Sequence, residues 1–138
     1  MKEPERGDPL EYAREVVGRD PMARHLGIEV LEVREGFARV ALTLGPEHLN
    51  ALDRAHGIAI YAVADQAMAV AANSLGVSAL ALEVKLNYLN PASPGERLVA
   101  EARPVEVKRK VGLWGVEIRV EGRPDLVAVC QGLSYHKA

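Results

Sequence analysis

Two hydrophobic periodicities divide this chain. Residues 28–36 (IEVLEVREG) and 36–44 (GFARVALTL) place apolar side chains at alternate positions, as half-buried strands do, and Glu35-Gly36 between them is a hairpin signal. From Gly57 to Leu82 the alternation is lost. Nearly every residue is apolar or small, and Asp65 is the only charge. That run predicts a central helix from about Gly57 to Ser74, closed by Gly76 as a C-cap. Four further strand-like runs follow at 79–89, 96–108, 111–122 and 126–136. Alternation along them predicts a half-exposed sheet. Pro104, inside the second of these runs, marks a bulge or an edge.

Upstream the signals are shorter. Residues 1–8 read as a charged tail. Asp8-Pro9 opens a helix that ends at Gly18, and Asp20-Pro21 opens a second that ends at Gly27. Residues 48–57 (HLNALDRAHG) read as a polar loop. The order is short helices, two strands, one long helix, then four strands. Strands grouped on either side of one apolar helix indicate α+β, an antiparallel sheet rather than a doubly wound parallel one. The predicted division is a tail and short helix over 1–19 and the main domain over 20–138. The helix is apolar almost all round, so the sheet must curl around it or a second subunit must cover what the sheet leaves bare.

Composition narrows the function classes. The chain has 138 residues, 49% hydrophobic and 26% charged, with a net charge of -2. That size suits one domain with a real core. A near-neutral balance argues against general nucleic-acid binding. A single cysteine, Cys130, excludes an intrachain disulfide, and the charged N-terminus is unlike a signal peptide, so a cytoplasmic protein is expected. A membrane span over 57–82 is disfavoured: Asp65, Gln66, Asn73 and Ser74 interrupt it, and a central Asp alone costs about 3 kcal/mol on insertion.

Asp65 is the main candidate for chemistry. Burying a lone carboxylate is costly unless it is partnered or reactive, and an apolar site makes its oxygen more basic. Gly57 stands where the helix begins. Free amides and the helix dipole there favour developing negative charge, and glycine permits close approach. His56 could cap the helix or bond a substrate. Tyr61, one turn before Asp65, could pack in the core or line a pocket. Lys108-Arg109-Lys110 is a solvated hairpin turn or a basic rim. Cys130 reads as a buried small residue. The four histidines form no metal-ligand spacing, so no metal is expected, and no G-x-S-x-G elbow is present.

The combined motif carries a resemblance. His48-Leu49-Asn50, Ala55-His56-Gly57, Tyr61-Ala62-Val63-Ala64-Asp65, then Ala67, Ala69, Ala71 and Asn73, continue through Gly76, Ala81-Leu82, Tyr88, Pro91 and Gly95 to Val105-Glu106-Val107. This pattern resembles the hotdog-fold acyl-CoA thioesterases of the phenylacetate-pathway (PaaI-like) branch, over about residues 20–136. The resemblance implies a hotdog fold, with an antiparallel sheet wrapped around one long helix. It implies hydrolysis of acyl-CoA or aryl-acyl-CoA thioesters, with Asp65 as nucleophile or general base and the Gly57 amide as oxyanion donor.

By the same resemblance, Asn50 stands where the family has an amide near the reacting group, and His56 supports the site. Ile58, Tyr61, Lys108, Arg109 and Lys110 are the expected substrate contacts, the basic triplet reaching the phosphates of coenzyme A. Coenzyme A enters as part of the substrate, with no separate cofactor. Association is also implied, as a homodimer or homotetramer with each site at a subunit interface. The family usually has a second glycine after the histidine, and Ile58 in its place is expected to reshape the acyl pocket. A non-catalytic acyl-CoA sensor on the same fold is the alternative, and Asp65 argues against it. A hotdog dehydratase is disfavoured, because Asp53 and His56 lack the spacing that such enzymes resemble.

Overall fold

The computed structural model describes residues 7–137. Asp8 caps α1 (Pro9–Tyr12) by accepting from the Leu10 amide at 2.8 Å, and the helix runs on into a π-helical turn, Ala13–Val17. Asp20 caps α2 (Pro21–Leu26), which ends at Gly27 in the left-handed region, φ 87°. The hairpin of β1 (Glu29–Arg34) and β2 (Phe37–Thr43) follows. A 3-10 turn, Pro46–His48, leads into the segment read as plain loop and overlaps it at His48. Next come α3 (Gly57–Asn73), β3 (Ser78–Tyr88), β4 (Arg97–Val107), β5 (Val111–Val120) and β6 (Leu126–Lys137).

The six strands form one antiparallel sheet in the order β1-β2-β4-β5-β6-β3. It wraps α3, whose inner face (Ile60, Val63, Ala64, Ala67, Met68, Val70, Ala71) is buried against Val40, Leu42, Leu98, Ala100, Trp114 and Ile118 from the strands. Alanine at so many helix positions lets the sheet close tightly. The expected alternation holds on β4: Leu98, Ala100 and Ala102 face the helix, while Val99, Glu101 and Arg103 are less buried. At Pro104 the β4–β5 register shifts by a bulge, beyond the last β2 partner at Ala102.

The end of α3 is anchored by side chains. Asn73 donates to the carbonyls of Ala69 (2.8 Å) and Ala79 (3.3 Å) and accepts from the Ala79 amide (3.2 Å), tying the helix to β3. Ser74 donates to Ala71 and accepts from the Gly36 amide, tying the same end to the β1–β2 turn. Gln66 donates to the Val17 carbonyl at 2.8 Å and holds the N-terminal turn on α3.

One side of this assembly is bare. β3 lies at the sheet edge, and Leu80, Leu82 and Tyr88 on it are more than half exposed, as is Ile58 on α3. An edge strand so apolar is one that proteins normally cover.

Candidate active site

The loop that leads into α3 is built on His48. Its ring is buried: Nδ1 accepts from the Gly45 amide at 2.9 Å and Nε2 donates to the Leu26 carbonyl at 2.7 Å. Those two bonds require the neutral Nε2–H tautomer. The His48 carbonyl accepts from the His56 amide at 2.7 Å, so this residue joins the ends of α2, β2 and the α3 loop. Asn50 folds the intervening loop. Its Oδ1 accepts from the Leu52 (2.9 Å) and Arg54 (3.1 Å) amides, and its own amide donates to the Arg54 carbonyl at 2.7 Å. The Asn50 Nδ2 has no partner among the described residues, and Asn50 borders a cavity of about 410 Å³ that Gly57, Ile60, Tyr88 and Pro91 also line.

Gly57 opens α3 at the edge of that cavity. His56 caps the helix: its Nδ1 accepts from the Ile58 amide at 3.0 Å. The His56 carbonyl accepts from Ala59 and Ile60. The Gly57 N–H alone is left without an acceptor among the described residues. An amide left free at a helix N-terminus is a donor that the helix dipole makes favourable for negative charge. Tyr88 reaches over from β3 and donates from its hydroxyl to the Gly57 carbonyl at 2.8 Å.

Asp65 lies elsewhere. It is half-buried, not enclosed, beside a smaller cavity of about 160 Å³ lined by Met68, Ala69 and Ala72 of α3, Ala79–Ala81 of β3 and Ser134 of β6. No donor or cation meets its carboxylate among the described residues. Burial, foremost, and then the Asp20 carboxylate push its pKa above the ordinary carboxylate value. Burial and the Asp65 charge likewise push up the Tyr61 phenol, and push the Cys130 thiol up to about 11. Cys130 is buried and held as the thiol, as its sequence context predicts.

Gly57 and Asp65 are eight residues apart on one helix, about 12 Å along its axis at 1.5 Å per residue. The structure therefore gathers Asn50 and Gly57 into one cavity and sets Asp65 beside another. Ile58 is 71% exposed and Tyr61 39% exposed, both on the bare side, and neither lines the Gly57 cavity. Lys108-Arg109-Lys110 forms the β4–β5 turn, where the Lys110 carbonyl accepts from the His136 amide at 2.7 Å. His136 pairs with Ala79, which lines the Asp65 cavity, so the triplet stands toward the C-terminal end of α3, away from Gly57. The sequence alone missed three contributors: Tyr88, the His48 hub and Asp20. The first two lie inside the quoted motif, and Asp20 shows only as a cap. No group of three or more metal-ligating side chains converges among the described residues, and no helix there is long and apolar enough to cross a membrane.

A six-stranded sheet wrapped around one alanine-rich helix, with a bare amide at the helix mouth, makes this a hotdog-fold protein of the thioesterase class. The chain belongs to the thioesterase superfamily, whose profile matches residues 53–127, and to its PaaI-like branch. It is similar to the acyl-coenzyme A thioesterase PaaI of Escherichia coli, with 34% identity over 116 residues that cover 84% of this chain and 82% of the relative. The structure of Escherichia coli PaaI, from the phenylacetic acid degradation operon, covers 95% of this chain and 94% of its own, with a TM-score of 0.89 at 30% identity. A mutant structure of the phenylacetic acid degradation protein PaaI from Thermus thermophilus covers 86% of this chain and 100% of its own, with a TM-score of 0.81 at 36% identity.

Proposed function

We propose that this thioesterase hydrolyses acyl-CoA thioesters to the free acid and coenzyme A, in a site that two copies of the chain share. The observation that carries the reading is the separation along α3. On α3, the Gly57 N–H, unbonded among the described residues, and Asp65, the helix's one acid and without a partner among them, are about 12 Å apart, too far to act on one carbonyl. Their cavities nevertheless border opposite ends of the same strand. Gly57 lies by Tyr88 and Leu89 at the end of β3, and Asp65 lies by Ala79–Ala81 at its start. β3 is a free, apolar edge. Antiparallel pairing of two β3 strands about a two-fold axis sets the start of one against the end of the other. Asp65 of one copy then faces Gly57 of the partner subunit, and the exposed Ile58, Tyr61, Leu80 and Leu82 are covered.

In that site the thioester carbonyl oxygen accepts from the Gly57 N–H, with the Asn50 Nδ2 beside it as a second donor. Charge developing on this oxygen in the tetrahedral intermediate strengthens both bonds. Asp65 supplies the electrons by one of two routes. As base, it takes a proton from water as the water oxygen adds to the carbonyl carbon. The C–S bond then breaks, and the proton passes to the coenzyme A sulfur. As nucleophile, it adds to the carbonyl itself, coenzyme A leaves, and water cleaves the resulting anhydride. Burial favours both routes, since a poorly solvated carboxylate is the stronger base and nucleophile. The basic triplet stands at the Asp65 end of the groove, where coenzyme A phosphates would be bound by charge-assisted contacts.

The test is free-thiol release from a panel of acyl-CoA and aryl-acyl-CoA esters. Single turnover in ¹⁸O-water separates the routes, because only the nucleophilic one can place ¹⁸O in Asp65. Coenzyme A binding with no release from any ester would refute the hydrolase and leave a binding protein.

A further inference from the structure

We infer that Tyr88 is a positioning residue: its hydroxyl holds the first peptide of α3 so that the Gly57 N–H points at the substrate oxygen. The inference rests on the thioesterase reading above and extends it to a residue outside the acid–amide pair.

Two peptide units meet at Gly57. In the peptide between His56 and Gly57, the carbonyl accepts from the amides of Ala59 (2.9 Å) and Ile60 (3.2 Å), and the N–H is left unbonded. In the peptide between Gly57 and Ile58, the N–H is held by His56 Nδ1 at 3.0 Å and the carbonyl by Tyr88 Oη at 2.8 Å. The second peptide is clamped at both ends, one clamp from the loop and one from the sheet. A carbonyl has two lone pairs, so the phenol adds to the helix's own bonding and does not compete with it. With this peptide fixed, rotation about the Gly57 backbone is restrained, and the direction of the free N–H is set. Glycine has the least intrinsic restraint of any residue, so a clamp counts for most here.

The glycine is itself matched to the phenol. A Cβ at position 57 would lie 3.1 Å from Tyr88 Oη and 3.2 Å from its Cζ, inside ordinary contact. Any larger residue there would push the phenol aside by a few tenths of an ångström. The sheet fixes Tyr88 in turn, through its pairing with Ala128 and the bond from the Leu89 amide to the Val127 carbonyl at 2.8 Å. In the shared site, the strand that meets the partner subunit is thus the strand that aims the amide.

Tyr88→Phe removes only the hydroxyl. An oxyanion donor acts on the transition state, so its misalignment lowers kcat and leaves ground-state binding alone. Displacement on the order of 1 Å costs up to about 100-fold. We expect kcat to fall about tenfold, KM to stay within about twofold and the melting temperature to hold. In protein labelled with ¹⁵N-glycine, the Gly57 amide resonance should shift. Tyr88→Leu, which removes the ring as well, should be no better than Phe. An unchanged kcat in Tyr88→Phe would overturn the inference, as would a raised KM at constant kcat or an unmoved Gly57 resonance. Failure of the parent reading looks different: the wild type would then release no thiol, or release it equally well in Asp65→Asn, and this inference would fall with it.

Discussion

Asp65→Asn should make the protein both more stable and nearly inactive, and the two effects have one cause. The carboxylate is half-buried among Met68, Ala69, Ala79 and Ala81, without a donor or a cation among the described residues. Burial and the nearby Asp20 charge hold its pKa above the unfolded value of about 3.9. The sign follows from proton counting. Between the unfolded and the raised folded pKa, the native state binds more protons than the unfolded chain, so stability falls as pH rises through that window. Below the window both states are protonated and the cost is absent; above it the cost is complete. Asparagine has no charge to desolvate. At pH 7 the variant should gain about 0.5–2 kcal/mol, the range common for a single stabilising substitution. For a chain of this length, that is a rise of roughly 2–7 °C in melting temperature.

The gap should close as pH falls through the window. Thermal melts of both proteins from pH 4 to 8, at one fixed protein concentration, measure it. Thiol release at saturating ester should meanwhile drop by about 10²–10⁴, the contribution of a positioned base. A variant less stable than wild type at every pH would show that the carboxylate makes a stabilising contact, refuting the desolvation argument. Hydrolysis within tenfold of wild type would refute its role in the chemistry.

Other perturbations test the scaffold and the substrate contacts. His48→Ala strands the Gly45 amide and the Leu26 carbonyl, at about 1–3 kcal/mol each, so chemical denaturation should show a loss of about 3–5 kcal/mol; a loss under 1 kcal/mol would mean that the loop is held elsewhere. Gly18→Ala brings a Cβ to 2.5 Å from the Arg14 carbonyl oxygen and against the Val30 side chain, so it should destabilise by about 1–3 kcal/mol, while Gly7→Ala, with open space around it, should be silent in the same melts. Reversing the charges of Lys108, Arg109 and Lys110 together should raise KM for acyl-CoA about tenfold or more, or about 1.4 kcal/mol, and leave KM for a short thioester without a nucleotide unchanged. Equal effects on the two esters would exclude a phosphate-binding role.

The elements were legible because their signals are local. Asp8, Asp20 and Gly27 mark helix ends and Glu35-Gly36 marks the hairpin, through capping and turn chemistry that two to four residues encode, whereas α3 is capped by Ser74 and the predicted cap Gly76 turns left-handed two residues on. The bulge at Pro104 follows from the missing N–H. What the sequence hid is what needs two distant segments. His48 reads as a polar loop residue until Leu26 and Gly45 close around its ring. Tyr88 reads as a strand aromatic until its hydroxyl is found on Gly57, 31 residues upstream. Asp65 was legible as an unusual acid, because a single charge within an apolar helix is visible in one dimension. Its half-exposure was not, since that depends on the sheet ending at β3.

That ending explains why α3 is apolar on the side the sheet does not reach. A helix serving one chain alone would carry polar residues opposite its core face. Here the uncovered side presents Ile58 and Tyr61, with Asp65 between the bare and buried faces, next to an edge strand bearing Leu80 and Leu82. Solvent is a poor neighbour for such a surface, and a second copy of the same surface is a good one. The proposed reaction imposes the same requirement independently. A donor and an acid fixed about 12 Å apart on one rigid helix cannot both reach one carbonyl, and flexing the helix to bring them together would break its hydrogen bonds. Reversing a second copy against the first meets both demands with one operation, and the apolar side of α3 is then the inner wall of the site.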